Sequence, residues 1–146
     1  MDLVLANRPL VAAAVAWATA QVLKLVIYSL VERRLNLGLL FDTGRLPSAH
    51  SAFVTGLATA IGASEGLDST LFALAFVLAA VVMYDALSLR REAGKHADVL
   101  NELLMIDTIR EALSHRAIPL RELLGHTPLE VLVGTLIGIA VGLSLA

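Results

Sequence analysis

Two short segments of this chain place a histidine beside a proline at the start of an apolar stretch. Their sequences are Leu46-Pro-Ser-Ala-His-Ser51 and Gly125-His-Thr-Pro-Leu-Glu-Val-Leu-Val-Gly134. Imidazole can act as a nucleophile and as a proton donor near neutral pH. One histidine that attacks and one that protonates a leaving oxygen together suit phosphoryl transfer. The two segments therefore predict a single site that contains His50 and His126.

Glu130 follows His126 by four residues, so both side chains share one helix face if both residues are helical. A carboxylate bonded to one imidazole nitrogen leaves the other nitrogen available as a nucleophile. The alternative is a capping box, with Thr127 as N-cap and Glu130 at the third helical position. The two roles are compatible, because a capped helix end also holds His126 in place.

Pro47 and Ser48 suggest a second helix start, just before His50. Free backbone N–H groups at such a start, together with the Ser48 hydroxyl, predict a phosphate-binding site. A lone histidine at a membrane interface is more often an anchor. A second histidine in the equivalent place favours a proton donor at His50.

Charged residues in or beside apolar stretches are the other candidates. Lys24 lies inside the first stretch, where a charge is costly, and shares a helix face with Gln21 and Tyr28. This spacing predicts a polar face directed into a helix bundle.

Asp85 is a supporting candidate at the end of the third stretch, and it can also form a structural ion pair with Lys24 or Arg90. Arg90 and Arg91 are either membrane anchors or a guanidinium clamp on phosphate.

Composition defines the class of protein that holds these residues. The 146 residues are 58% hydrophobic and 16% charged, with a mean hydropathy of +0.80. Soluble domains are about half apolar and a quarter charged, so we predict an integral membrane protein with one domain, residues 1–146. A net charge of −2 argues against a nucleic-acid partner. The lack of cysteine excludes disulfides and thiolate chemistry.

The predicted fold is an all-α transmembrane bundle of about four spans plus an interfacial amphipathic helix. Each stretch is near the roughly 20 residues that a span needs, and the second is marginal. Pro47 and Pro128 are expected in first helical turns. The first stretch lacks the features of a cleaved signal peptide and is expected to be retained. The spans run from about Pro9 to Val31, Pro47 to Glu65, Ser69 to Leu89 and Thr127 to the C-terminus. The amphipathic helix is expected at His96 to His115, at the interface or as a lid over the bundle.

Alternate crossings of the membrane bring all the candidate residues to one face. Only Arg8 of the eleven Lys and Arg residues falls on the opposite side. The positive-inside rule therefore predicts a site facing the cytoplasm. The membrane itself is expected to be a bacterial plasma membrane. Gly134, Gly138 and Gly142 form a smooth helix face, which serves either packing inside the bundle or contact between two copies in a homodimer.

These motifs together resemble the divergent branch of the type 2 phosphatidic acid phosphatase family, relatives of vanadium-dependent haloperoxidases. Pro47-Ser-Ala-His50 is similar to the family's Pro-Ser-Gly-His, and the segment from His126 to Gly134 resembles its His-x-Pro-x-Asp-Val-x-x-Gly. Asp85-Ala-Leu-Ser-Leu-Arg-Arg-Glu-Ala-Gly94, followed by Asn101, looks like a motif of the divergent branch.

The resemblance implies a phosphatase that needs no metal or other cofactor and forms a phosphohistidine. In this chain His126 would attack phosphorus, Glu130 would orient it, and His50 would protonate the leaving alkoxide. Ser48 would bind phosphate oxygens. The classical Lys-x6-Arg-Pro element is absent, so neutralisation of phosphate falls to Lys24 and to Arg90 or Arg91.

The expected substrate is a phosphate carried by a membrane lipid. One alternative is a non-catalytic protein that binds or transports lipid phosphates. Another is a metal-dependent lipid phosphotransferase, which needs clustered carboxylates that Asp85 lacks in the sequence.

Overall fold

A computed structural model describes residues 6–35, 37–38, 45–113, 120 and 125–146, except for the side chains of residues 89–91, 110 and 112. The described chain is all-helical, which confirms the predicted fold class. The helices are α1 (Arg8–Glu32), α2 (Ala49–Glu65), α3 (Thr70–Leu87), α4 (Leu89–Leu104), α5 (Asp107–Leu113) and α6 (Pro128–Leu145).

Three helical segments of the described chain are long and apolar enough to cross a membrane. They are Arg8–Glu32, the run Thr70–Leu104 that joins α3 to α4, and Pro128–Leu145. Their ends follow local rules of helix capping. Asn7 accepts a hydrogen bond from the Leu10 N–H at the start of α1, and Ser69 accepts one from the Phe72 N–H at the start of α3.

The shorter α2 is the central helix, and it packs against α1, α3 and α6. Its 17 residues span about 25 Å, and its buried positions are mostly Ala, Gly, Ser and Thr. Because neighbouring helices shield α2 from lipid, it can cross the membrane with fewer large apolar residues. The marginal hydropathy of the second predicted span therefore reflects an interior position.

The glycines of α6 pack against α2, which confirms packing inside the bundle. A Cβ at Gly138 would coincide with the Thr55 hydroxyl and lie 2.6 Å from the Ala52 carbonyl oxygen. A Cβ at Gly134 would coincide with the Ser48 carbonyl oxygen, and one at Gly142 would lie 2.7 Å from the Thr59 Cβ. This face is therefore filled within one protomer and offers no surface for a homodimer. Successive contacts advance together along both helices, so α2 and α6 are parallel and begin at the same end of the bundle.

Two predicted boundaries are wrong. Pro47 precedes the N-cap of α2, and the helix begins at Ala49, whereas Pro128 does occupy the first turn of α6. The amphipathic helix begins at Leu89 rather than His96, and it is interrupted at residues 105–106 before α5. Its predicted end, His115, lies outside the described residues. Leu100 and Leu103 are exposed on α4, as an interfacial helix requires.

Candidate functional site

The two predicted histidines lie side by side at one end of the bundle. The centroids of the His50 and His126 rings are 6.4 Å apart, with an interplanar angle of 78°. An attacking nitrogen needs about 3–3.5 Å to the reacting atom, and a proton donor needs about 2.6–3.2 Å to its oxygen. The rings are close enough for one phosphoryl group bound beside the pair to be reached by both.

His126 is fixed by backbone contacts on both sides. Its N–H donates to the Ala86 carbonyl oxygen at the end of α3, at 3.0 Å. Thr127, the next residue, is the N-cap of α6. His126 is only 5% exposed. The backbone of His126 is thus held in one place, with the ring beside that of His50.

Glu130 completes the capping box that the sequence offered as an alternative. Its carboxylate Oε2 accepts the Thr127 N–H at 3.0 Å, while the Thr127 hydroxyl accepts the Glu130 N–H. His126 precedes the N-cap and is not helical, so the premise that it shares a helix face with Glu130 is wrong. In this geometry the Glu130 carboxylate bonds the backbone of Thr127, the residue after His126.

The segment before His50 is held by Ser48. The Ser48 hydroxyl accepts from the Ser51 N–H at 3.3 Å and from the Ser51 hydroxyl at 2.9 Å, and Ser48 is fully buried. Its own N–H donates to the Glu130 carbonyl oxygen at 3.0 Å, which ties the two histidine segments together. As the helix stands, Ser48 caps α2 and does not present its hydroxyl to a ligand. This differs from the expected phosphate contact, because the N-cap position encloses the hydroxyl.

Lys24 is buried at the level of this site, as the pattern of α1 predicted. A Cβ at Gly56 would lie 2.9 Å from the Ala16 Cβ, and the Leu46 N–H donates to the Tyr28 hydroxyl at 3.3 Å. The helices α1 and α2 are therefore antiparallel. Because Lys24 lies between these two levels, it is opposite the first turn of α2. Lys24 is only 2% exposed, so its side chain lies inside the bundle at the level of the two histidine segments.

The remaining charged candidates lie at the same end. Asp85 is half-buried in the last turn of α3, next to the Ala86 carbonyl that accepts the His126 N–H. Arg90 and Arg91 lie in the first turn of α4, five and six residues after Asp85, and their side chains lie outside the described part of the structure.

Sequence reasoning missed a second cation near the site. Arg45 lies over the Tyr28 ring, 4.8 Å from its centroid, and forms an ion pair with Glu32 at 2.8 Å. These contacts anchor the chain that enters the Pro-Ser-Ala-His segment. The sequence feature that could have indicated this cation is the basic residue two positions before Pro47.

Asn101 is the other residue with a role visible only in the structure. Its amide accepts the Leu120 N–H and donates to the Leu120 carbonyl oxygen, each at 2.8 Å. The motif that contains Asn101 thus fixes a point of the chain five residues before Gly125. Among the described residues no group of three or more His, Asp or Glu side chains is arranged to hold a metal ion.

This architecture defines a class: a polytopic helical membrane protein in which two histidine segments meet at one end of the bundle. Comparisons with known proteins identify the family. The model of the Divergent PAP2 family, named for type 2 phosphatidic acid phosphatase, matches residues 5–141. The chain is 41% identical to the "Uncharacterized membrane protein YuiD" of Bacillus subtilis (strain 168), over 97% of this chain and 96% of that protein. No solved structure matches.

The chain therefore belongs to the Divergent PAP2 family, as its motifs indicated.

Proposed function

We propose that this protein is a lipid-phosphate phosphatase that works without a metal ion, through a phosphohistidine on His126. The observation that carries the proposal is the pairing of His50 with His126 at 6.4 Å, on two helix starts that share a hydrogen bond. Membership of a family named for a phosphatase supports it.

The reaction has two steps. A nitrogen of His126 attacks phosphorus, the P–N bond forms and the P–O bond to the lipid breaks. His50 gives its proton to the departing alkoxide, which leaves as the lipid alcohol. Neutral His50 then takes a proton from water, whose oxygen attacks phosphorus and releases inorganic phosphate from His126.

The positive charges needed for the transition state come from Lys24 and from Arg90 or Arg91. Lys24 is buried, so its charge is little screened by water and acts strongly on a phosphate beside it. Asp85 is the proposed support for these cations. Glu130 and Ser48 position the two histidines through the helix starts.

Phosphate release by the purified protein tests this function. Reconstituted in liposomes, it is expected to release phosphate from at least one of phosphatidic acid, phosphatidylglycerol phosphate and a polyprenyl phosphate. Activity should survive excess chelator, because cationic side chains replace a divalent ion. Vanadate should inhibit by occupying the space between the histidines. Loss of activity in chelator that magnesium restores would indicate a metal-dependent enzyme, and tight binding without release would indicate a lipid-phosphate binding protein.

The site is proposed to face the cytoplasm of a bacterial plasma membrane. Even without Lys24, Arg90 and Arg91, the predicted crossings assign seven basic residues of the sequence to the histidine side and only Arg8 to the opposite side. The positive-inside rule then places the histidine side in the cytoplasm.

Cysteine labelling tests the orientation, because the native chain has no cysteine. Ser64→Cys lies at the end of α2 far from the histidines, and Ala93→Cys lies on α4, beyond the histidine end; both positions are exposed. An impermeant thiol reagent should label Ser64→Cys in intact cells and Ala93→Cys only after permeabilisation. The reverse pattern would place the site outside.

A further inference from the structure

A cavity of about 560 Å³ lies between α2, α3 and α6, below the histidine pair. The helices α3 and α6 touch each other much less than either touches α2, so they leave a groove with α2 as its floor. The lining is almost entirely apolar, and Phe76 and Leu143 on its two edges are exposed. The groove therefore opens sideways, where the bilayer surrounds the bundle.

The groove begins below the end of the bundle that holds the site, where Thr55, Met83 and Thr135 line it. Near that end, the Thr135 hydroxyl meets the Met83 sulfur at 3.3 Å and draws α3 and α6 together. Beyond this contact the two helices separate, and the groove runs to Phe72 on α3 and Ala63 on α2.

The groove reaches further from the histidines than one leaflet of the bilayer is thick. Thr55, near its upper end, is about 7 Å along α2 from His50, and Ala63 is about 20 Å from it. One leaflet of the hydrocarbon core is about 15 Å thick. A chain that follows the groove from a phosphate at the histidines therefore passes the bilayer midplane. Acyl chains of a lipid in the same leaflet end at about 15 Å, short of the distal end of the groove at Ala63.

We propose that the groove holds the hydrocarbon chain of a lipid phosphate longer than one leaflet, a polyprenyl phosphate, whose head lies at the histidines. This inference rests on the proposed function for the position of the head group. The apolar walls of the groove match the hydrocarbon chain, and its sideways opening lets the chain enter from the bilayer. The length of the groove selects chains that cross the bilayer midplane.

A side chain that fills the distal half of the groove should weaken the reaction of long-chain substrates and leave that of short-chain substrates unchanged. Ala63→Phe blocks the distal half without touching the histidines. In liposomes it should raise KM for undecaprenyl phosphate about tenfold, at the low end of steric discrimination by apolar pockets, and leave farnesyl phosphate unchanged. The matched control is Ala73→Phe, which adds the same ring to an exposed position of α3 that does not line the groove. An equal effect of Ala63→Phe on both substrates, or none on either, would overturn the proposal.

Photocrosslinking provides a readout that does not depend on turnover. A polyprenyl phosphate with a diazirine more than one leaflet (about 15 Å) from the phosphate should label the groove near Phe72 and Ala63. Labelling confined to the exposed outer residues Leu74 and Val77 of α3 would overturn the proposal. Crosslinks in the groove without phosphate release from any lipid would support the groove as a binding site and would contradict the proposed phosphatase activity.

Discussion

Replacement of His126 by glutamine is expected to lower phosphate release at least about 10³-fold. Glutamine has no nitrogen that can form the phosphoryl-enzyme bond, so the first chemical step is lost. Its volume is similar to that of histidine, which matters because His126 is buried. The variant should therefore fold and insert, as size-exclusion chromatography and thermal melting in detergent would show. The measurement is phosphate release from the best lipid substrate.

The control for this variant is His96→Gln. His96 is exposed on α4, so its loss should change turnover by less than about twofold. Turnover near the wild-type value in a folded His126→Gln protein would contradict the assignment of His126 as the nucleophile.

Loss of His50 should have an effect that depends on the leaving group. His50→Ala is expected to slow release from an alkyl phosphate about 10²–10⁴-fold, the usual contribution of a general acid. A nitrophenolate leaves without protonation, so p-nitrophenyl phosphate should still phosphorylate His126. The variant also lacks the base for the water step, so one equivalent of nitrophenolate should appear rapidly, followed by a much slower steady state.

Stopped-flow absorbance measures that initial phase. His50 is exposed, so removal of its ring should not disturb packing. An equal slowing of both substrates, with no initial phase, would contradict a proton-transfer role and favour a role in phosphate binding.

The sequence predicts the helices and the meeting of the histidines well, for physical reasons that are local. Proline and capping residues mark the start of α6, and the number of crossings puts His50 and His126 on one face. The burial of Lys24 also follows from sequence, because a charge in an apolar helix must turn towards the bundle.

What the sequence could not provide depends on how the helices fit against each other. The enclosure of Ser48 follows from the close approach of Gly134, since a Cβ there would coincide with the Ser48 carbonyl oxygen. The contact of Arg45 with Tyr28 joins residues 17 positions apart, and no periodicity links them. The groove arises from the separation of α3 and α6, which no single helix encodes.

The most direct test of the paired-histidine mechanism is to detect phosphate on the protein itself. His50→Ala protein is mixed with p-nitrophenyl phosphate in chelator, quenched in alkali, which preserves phosphohistidine, and mapped by mass spectrometry. Phosphate is expected on the peptide that contains His126, close to one per chain, and absent from His126→Gln protein. A protein without phosphate, or with phosphate only on another residue, would contradict the account.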